Sequence, residues 1–179
     1  MKMSKLYTML SVVFVIVMAA GVFAPAAFAK SDKPKDIYSI VDLAQDVNAQ
    51  TGEFSILIAA LQAADPSVIQ TLNGKGQYTV FAPTDAAFVA LLNELGVSAG
   101  DLLSNQELVT TVLLYHVARG NRDSADVLSS NRIRTMQGGF LFQSGGVLTD
   151  ANGRTSNIVA ADIFADNGVV HVIDTVVLP

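Results

Sequence analysis

NGVVHVIDTVVLP, residues 167–179, is the last stretch of the chain, and it decides the fold together with an upstream stretch, YTVFAPTDAAF, residues 78–88. The last stretch predicts a tight Asn-Gly turn followed by a β-branched strand that a proline ends. The upstream stretch predicts a short strand, a break at Pro83, and a helix that begins at Thr84 or Asp85. The two together predict a strand–helix unit and a hairpin strand within one fold.

Apolar residues at helical spacing dominate the first half of the chain. Phe54, Leu57, Ile58 and Leu61 follow the i, i+3, i+4, i+7 pattern of a helix with one apolar stripe. Pro66, preceded by an aspartate, predicts the first position of another short helix.

Two polar pairs predict helix starts further along the chain. Ser98 with Asp101 and Ser104 with Glu107 both have the spacing of a capping box. The helix that Ser104 would open places Leu108, Val112 and Tyr115 on one stripe.

After Gly120 the pattern changes to short apolar pairs separated by glycine-containing turns. Val127-Leu128 is the first such pair, and Asn152-Gly153 and Asn167-Gly168 are strong turn dipeptides. Helices that come first and antiparallel strands that follow predict an α+β fold. We see no internal repeat, and we expect a single domain over residues 37–179.

The N-terminal segment is expected to direct export rather than to belong to the domain. Lys2 and Lys5 precede an uncharged run, and Ala27-Phe28-Ala29 supplies a small-x-small cleavage pattern. We therefore predict a cleavable signal peptide over residues 1–29 and a polar linker over residues 30–36. The uncharged run is also long enough to span a bilayer, so an uncleaved anchor is the alternative.

Composition excludes several classes of function. The chain has no cysteine, which excludes disulfides, thiolate catalysis and a lipoprotein anchor. Without Lys2 and Lys5 it keeps 16 acidic and nine basic side chains. This balance argues against nucleic acid and anionic lipid surfaces as partners. We also expect no stable membrane insertion once the signal is removed.

The chain resembles the fasciclin-like (FAS1) domain family over nearly all of the predicted domain. The stretches 78–88 and 167–179 are similar to the two family signatures, Tyr115-His116 stands where the family has a Tyr-His pair, and Asp162-Ile163 matches the lead-in to the final segment. The resemblance implies a compact β-wedge or sandwich of mainly antiparallel strands with helices packed around it. It also implies a secreted or cell-surface module of cell adhesion, without catalytic residues.

The resemblance further implies that Tyr115 and His116 form a possible interaction motif, although apolar neighbours favour a place in the core. His171 shares a strand face with valines and isoleucine, which is typical of a half-buried structural histidine. Asp174 alternates with valines, so its carboxylate needs a partner within the fold. With Thr84 and Asp85 at a helix start, these residues are expected to stabilise the scaffold.

We expect no catalytic residue, no cofactor and no metal site. The loop Asp150–Arg154 lacks the spacing of a calcium loop. A hydrolase that uses His116 or His171 remains a weaker hypothesis.

The expected partner is an extracellular protein or glycan, bound weakly or through self-association of the module. A mixed-charge group that contains Arg119, Arg122, Arg132 and Arg134 is read as solvated surface, with an acidic-glycan site as the alternative. The rival function is an extracytoplasmic carrier of an apolar small molecule such as a carotenoid.

Overall fold

The computed structural model describes residues 39–179. The predicted signal peptide, the linker and the first two residues of the predicted domain lie outside the described residues. Within them the chain forms seven helices and a mixed seven-stranded sheet, so the α+β prediction is confirmed.

Most of the helices come before the sheet-forming half of the chain. They are α1 (Ile40–Thr51), α2 (Ser55–Ala63), α3 (Pro66–Leu72), α4 (Asp85–Leu95), α5 (Ala99–Ser104), α6 (Gln106–Tyr115) and α7 (Ser124–Ser129). The strands are β1 (Tyr78–Pro83), β2 (Val117–Arg119), β3 (Arg132–Arg134), β4 (Phe140–Ser144), β5 (Val147–Thr149), β6 (Thr155–Ala165) and β7 (Gly168–Ile173).

The sheet has the strand order β2-β1-β7-β6-β5-β4-β3. All neighbouring pairs are antiparallel except β1 and β7, which pair in parallel over their six residues. An isolated bridge between Ala118 and Thr135 joins the two outermost strands, so the sheet curls until its edges meet. This pairing explains why the two stretches that decide the fold occur together: they are the two central strands β1 and β7.

Two apolar clusters fill the fold. The larger one lies between helices α1 to α6 and the β1–β7 pair, and it includes Phe54, Leu61, Phe88 and Val170. The smaller one lies inside the curled sheet under α7, around Phe81, Tyr115, Val127, Ile133, Leu141, Leu148 and Ile173. Because β1 is covered on both faces, Thr79, Val80, Phe81 and Ala82 are all buried.

Most of the predicted helix starts are correct. Thr84 caps α4 by accepting a hydrogen bond from the amide of Ala87, and Ser98 forms the predicted capping box with Asp101. The Ser104 box is wrong: Asn105 caps α6 through the amide of Leu108, while Ser104 still belongs to α5. Of the predicted stripe, Val112 and Tyr115 are buried, whereas Leu108, in the first turn of α6, is 43% exposed.

The interpretation of Val127-Leu128 as a strand pair is also wrong. These residues lie in α7, which Asp123 caps at its N-terminus, with Val127 buried and Leu128 exposed. Two adjacent apolar residues do not distinguish a one-turn helix from a short strand, and only packing against the inside of the sheet decides between them.

Candidate functional site

The predicted interaction motif Tyr115-His116 lies in the interior, at the C-terminal end of α6. Tyr115 has no exposed surface, and its hydroxyl donates to the carbonyl of Phe140 at 2.7 Å and accepts from the amide of Ala151 at 3.1 Å. Burial raises the pKa of the Tyr115 hydroxyl. In this fold the ring is a core element, and a partner would reach it only after local unfolding.

His116 caps the same helix end and is 2% exposed. Its Nδ1 lies 2.7 Å from the carbonyl of Val112, so Nδ1 carries the proton, and Nε2 accepts from the amide of Val177 at 3.3 Å. Burial lowers the pKa of His116 to about 4. The neutral imidazole therefore links α6 to the segment after β7, and neither nitrogen is left for a substrate.

His171 is fully buried on β7, rather than half-buried as predicted. Its ring stacks on that of Phe81, its parallel partner on β1, with 5.7 Å between centroids. Nε2 lies 2.9 Å from the carbonyl of Arg122 and must donate to it, so Nδ1 is an acceptor and faces the amide of Asp162 at 3.4 Å. Burial lowers the pKa of His171 as well.

Ser124 and Asp162 lie beside His171, which raises the question of a serine-type triad. The hydroxyl of Ser124 donates to the carboxylate of Asp162, not to the imidazole, and the backbone amide of Ser124 donates to the same carboxylate at 2.7 Å. Nucleophilic catalysis requires the base to contact the hydroxyl. Here both nitrogens of His171 face backbone groups, so the arrangement supports α7 rather than chemistry.

The carboxylate of Asp85 serves a helix N-terminus, as predicted, but that of another helix. It accepts from the amides of Ser55 at 3.1 Å and Ile56 at 2.8 Å, at the start of α2, whose N-cap Phe54 has no side-chain oxygen. Thr84 and Asp85 together therefore satisfy the starts of two helices, α4 and α2.

Asp174 lies just beyond β7 and is exposed, so the prediction of an apolar strand face is wrong at this position. The predicted partners are present. Its carboxylate accepts from the amide and the side chain of Asn157, both at 2.8 Å, and from the hydroxyl of Thr175 at 3.1 Å. Burial alone would raise the pKa of Asp174, but these hydrogen bonds outweigh burial and lower it.

Asn167 has a structural role that its place in an Asn-Gly turn did not reveal. Its side-chain oxygen accepts from the amide of Ile40 at 2.9 Å, and its amide group donates to the carbonyls of Leu72 and Gly74. The side chain therefore joins the start of α1, the end of α3 and the β6–β7 turn. The dipeptide predicts the turn, but nothing in the sequence marks the residues 93 to 127 positions away to which it binds.

Two apolar cavities lie in the core on either side of Leu57 and His116, with volumes of about 30 and 20 Å³. A pocket for a small organic ligand usually measures roughly 300 Å³ or more.

Within residues 39–179 no group of three or more acidic or histidine side chains converges as metal ligands. In the same residues no single helix is long and apolar enough to cross a bilayer; α2 and α3 reach that length together, but with a bend of 118°.

The remaining candidates for a binding site are exposed apolar side chains on the surface. Among residues 39–179, seven large apolar side chains are well exposed: Val89, Leu95, Val97, Leu108, Leu128, Phe142 and Val159. Phe142 is the only aromatic ring among them and lies on the outer face of β4. Scattered apolar side chains are ordinary for a protein surface. Aromatic side chains, however, are enriched at protein interfaces relative to the rest of the surface.

The comparisons with known proteins agree with this architecture. The Fasciclin domain model matches residues 52–179. Protein sll1483 of Synechocystis is 37% identical over 138 residues, which are 75% of this chain and 72% of that protein. Transforming growth factor-beta-induced protein ig-h3 of Sus scrofa is 40% identical over 135 residues, 75% of this chain but 19% of that protein.

Two further comparisons concern a surface protein and a solved structure. Cell surface glycolipoprotein MPB83 of Mycobacterium bovis is 30% identical over 148 residues, 79% of this chain and 64% of that protein. The structure of a FAS1 domain pair from the insect cell adhesion molecule Fasciclin I superposes with a TM-score of 0.54 at 20% identity, over 66% of this chain and 42% of that chain. This match shows the fold, which confirms the expected β-wedge with surrounding helices. The chain belongs to the fasciclin (FAS1) domain family.

Proposed function

We propose that the protein is a secreted or cell-surface adhesion module that acts by binding and not by catalysis. One observation carries the proposal. The side chains best suited to chemistry form their hydrogen bonds with backbone groups inside the fold; they are His116, His171 and Tyr115. A protein of this kind presents only its outer surface to other molecules.

Family membership supports the adhesive role. The structurally similar FAS1 domain pair comes from a cell adhesion molecule, and one relative is named a cell-surface glycolipoprotein. Export through a signal peptide over residues 1–29 belongs to the same proposal. The core cavities are roughly a tenth of the volume that a carrier of an apolar small molecule needs, so the carrier function gains no support from the interior.

One domain offers a limited surface, so each contact is expected to be weak and adhesion to depend on many copies. The test is retention under flow. Microspheres carry the chain from residue 30 onward, attached by its N-terminus at several densities, over a layer of the source cells and their extracellular polymer. We expect retention that rises more steeply than in proportion to coating density, with albumin-coated spheres washed away.

Retention no greater than that of the albumin spheres at any density would reject the adhesive function. A catalytic function is tested separately with the double variant H116Q/H171Q. Any turnover of ester or glycoside substrates by the wild-type chain that this variant loses, while it remains folded by circular dichroism, would reject the non-enzymatic interpretation.

A further inference from the structure

The outer face of the sheet carries an ordered group of arginines and phenylalanines where β3 meets β4. On β3, Arg132 and Arg134 point outward while Ile133 between them is buried. On β4, Phe140 and Phe142 point outward on either side of the buried Leu141. The register places Arg132 opposite Phe142 and Arg134 opposite Phe140, so two arginines and two phenylalanines form adjacent rows.

A third arginine, Arg119, extends the arginine row onto β2, where the two edges of the sheet meet. The antiparallel bridge between Ala118 and Thr135 places Arg119, the next residue of β2, across from Arg134. Both residues are exposed. We call the group of Arg119, Arg132, Arg134, Phe140 and Phe142 the arginine–phenylalanine face.

This face is a local concentration of positive charge on an acidic protein. Residues 39–179 contain six lysines and arginines, and three of them lie here. Within those residues none of the three forms an ion pair, in contrast to Arg154, which pairs with Glu94. The outward positions of the neighbouring strands are Val147, Thr149, Thr155 and Asn157, without a carboxylate.

The side chains are also arranged for contact. The guanidinium of Arg132 lies over the ring of Phe140, 5.0 Å from its centroid, which orients the charged group. Phe142 is 50% exposed, so its side chain is available to a ligand. Arginine and aromatic side chains are the types that contribute most to binding surfaces.

We propose that the arginine–phenylalanine face binds an acidic polysaccharide built of uronic acid units. Guanidinium groups bind carboxylates through paired, charge-assisted hydrogen bonds. The apolar C–H face of a sugar ring packs against an aromatic ring, whose face is electron-rich. The inference rests on the proposed adhesive function and names its partner.

The geometry favours a polysaccharide over an acidic peptide. Neighbouring strands lie about 4.8 Å apart, so the arginine row and the phenylalanine row fall within the span of one sugar ring, which carries both a carboxylate and an apolar face. A run of acidic side chains, as in poly-glutamate, would satisfy the arginines but offer no apolar ring face to the exposed side chain of Phe142. The face lies on the outside of the sheet, and its outward residues repeat about every 7 Å along each strand, which suits a polymer rather than a single small molecule.

The experiment measures binding of the chain from residue 30 onward to immobilised polygalacturonate, with neutral dextran and poly-glutamate as comparison surfaces. We expect binding to polygalacturonate that weakens with salt, and little binding to dextran. The double variant R132Q/R134Q should lose about tenfold or more in affinity. F142A should lose several-fold without a change in salt dependence, because it removes packing and not charge.

Two matched variants control for general effects. K75Q removes one positive charge from the exposed loop before β1, and L95A removes an exposed apolar side chain from the end of α4. Both should bind polygalacturonate as the wild type does. Equal losses in K75Q and R132Q/R134Q would overturn the proposal, because they would reveal a general charge effect. Equal affinity for poly-glutamate, with no effect of F142A, would overturn it in favour of an acidic protein.

The result of the polygalacturonate-binding experiment can be distinguished from the result of the flow assay that tests the adhesive function. If R132Q/R134Q spheres adhere like wild-type spheres, the face is not the adhesive surface and this inference fails, while the adhesive function stands. If the wild type binds polygalacturonate but its spheres never adhere, the adhesive function fails, and the binding face stands as a property of the chain.

Discussion

The two turns at the ends of β6 contain the same dipeptide in different surroundings. Asn152-Gly153 is exposed, and a Cβ added at Gly153 would meet open space. Asn167-Gly168 is buried, with the side chain of Asn167 bonded to three backbone groups and Gly168 pressed against β1. Within residues 39–179, the side chain of Asn152 instead donates only to the carbonyls of Leu178 and Pro179, at 3.4 and 3.2 Å.

The comparison separates two roles of one motif. Both dipeptides reverse the chain because asparagine and glycine tolerate turn conformations. Only the second also holds distant elements together, since it lies where α1, α3 and the β1–β7 pair meet. Changes at the two turns should therefore differ greatly in their effect on the free energy of unfolding.

The largest effect is expected from Gly168→Ala. The added Cβ would lie 2.0 Å from the carbonyl oxygen of Tyr78 and 2.7 Å from Cδ1 of Ile40, so β7 would have to move away from β1. We expect a loss of about 3 kcal/mol or more in the free energy of unfolding, measured by urea denaturation. Gly153→Ala is the matched control and should cost about 1 kcal/mol, because it only places alanine at a positive φ of 80°. Equal costs at the two sites would contradict the comparison.

The next effect is expected from Asn167→Ala, which leaves the amide of Ile40 and the carbonyls of Leu72 and Gly74 without their partner. Since each buried group left unpaired costs roughly 1 kcal/mol or more, we expect a loss of about 3 kcal/mol. Asn167→Asp keeps the acceptor and loses both donors, so it should not restore stability. Asn152→Ala should change stability by less than about 0.5 kcal/mol. A loss at Asn152 as large as that at Asn167 would show that the exposed turn also anchors the fold.

Acid should lower the stability of the fold through His116. Its imidazole accepts a hydrogen bond from the amide of Val177, and the next residue, Leu178, contacts Asn152 of the exposed turn. Burial lowers the pKa of the folded His116 from its ordinary value of 6.5 to about 4, so the unfolded chain takes up the proton first as the pH falls. The neutral His116 therefore makes its full contribution to stability above pH 6.5. As the pH falls from 6.5 to 4, the free energy of unfolding falls by about 1.4 kcal/mol per pH unit. The lowered pKa of His171 acts in the same direction.

Urea denaturation between pH 4 and 7.5, together with an NMR titration of the two imidazoles, checks this dependence. The folded His116 ring should show no titration near pH 6.5. A midpoint near 6.5 for that ring, with a stability that does not change with pH over this range, would contradict the expectation.

The smallest effect is expected from Tyr115→Phe, which removes the hydroxyl that binds the amide of Ala151 beside the exposed turn. The variant loses hydrogen bonds to Ala151 and Phe140 and should cost about 1 to 2 kcal/mol by urea denaturation. Tyr78→Phe is the control, because the Tyr78 hydroxyl makes no hydrogen bond within residues 39–179, and it should be nearly neutral. If both variants were neutral, the exposed turn would not depend on the core tyrosine.

Much of the scaffold is predictable because its signals are local. Thr84 and the Ser98–Asp101 pair cap helices through groups no more than three residues away, and spacing alone reveals such pairs. The wrong predictions concern positions where the same residues fit two local structures. Asn105 displaced Ser104 as the cap of α6, and Val127-Leu128 fits either a strand or a single helical turn.

The candidate site was less predictable than the fold. The sequence marked Tyr115, His116 and His171 as noteworthy, but their burial and partners depend on how α6 and β7 pack. The arginine–phenylalanine face was visible only as a mixed-charge group, because the register that aligns Arg132 with Phe142 forms between two strands. Asn167 was marked as a turn residue, and its three distant partners were not visible.

By itself the sequence determined the family, the α+β class, the acidic and cysteine-free character of the chain, and the positions of most helices and turns. These depend on residue type and on spacing along the chain. Tertiary structure alone decided which polar groups are buried with partners and which remain on the surface. That division depends on long-range pairing, above all the parallel β1–β7 contact and the closure between β2 and β3, which bring together residues far apart in sequence.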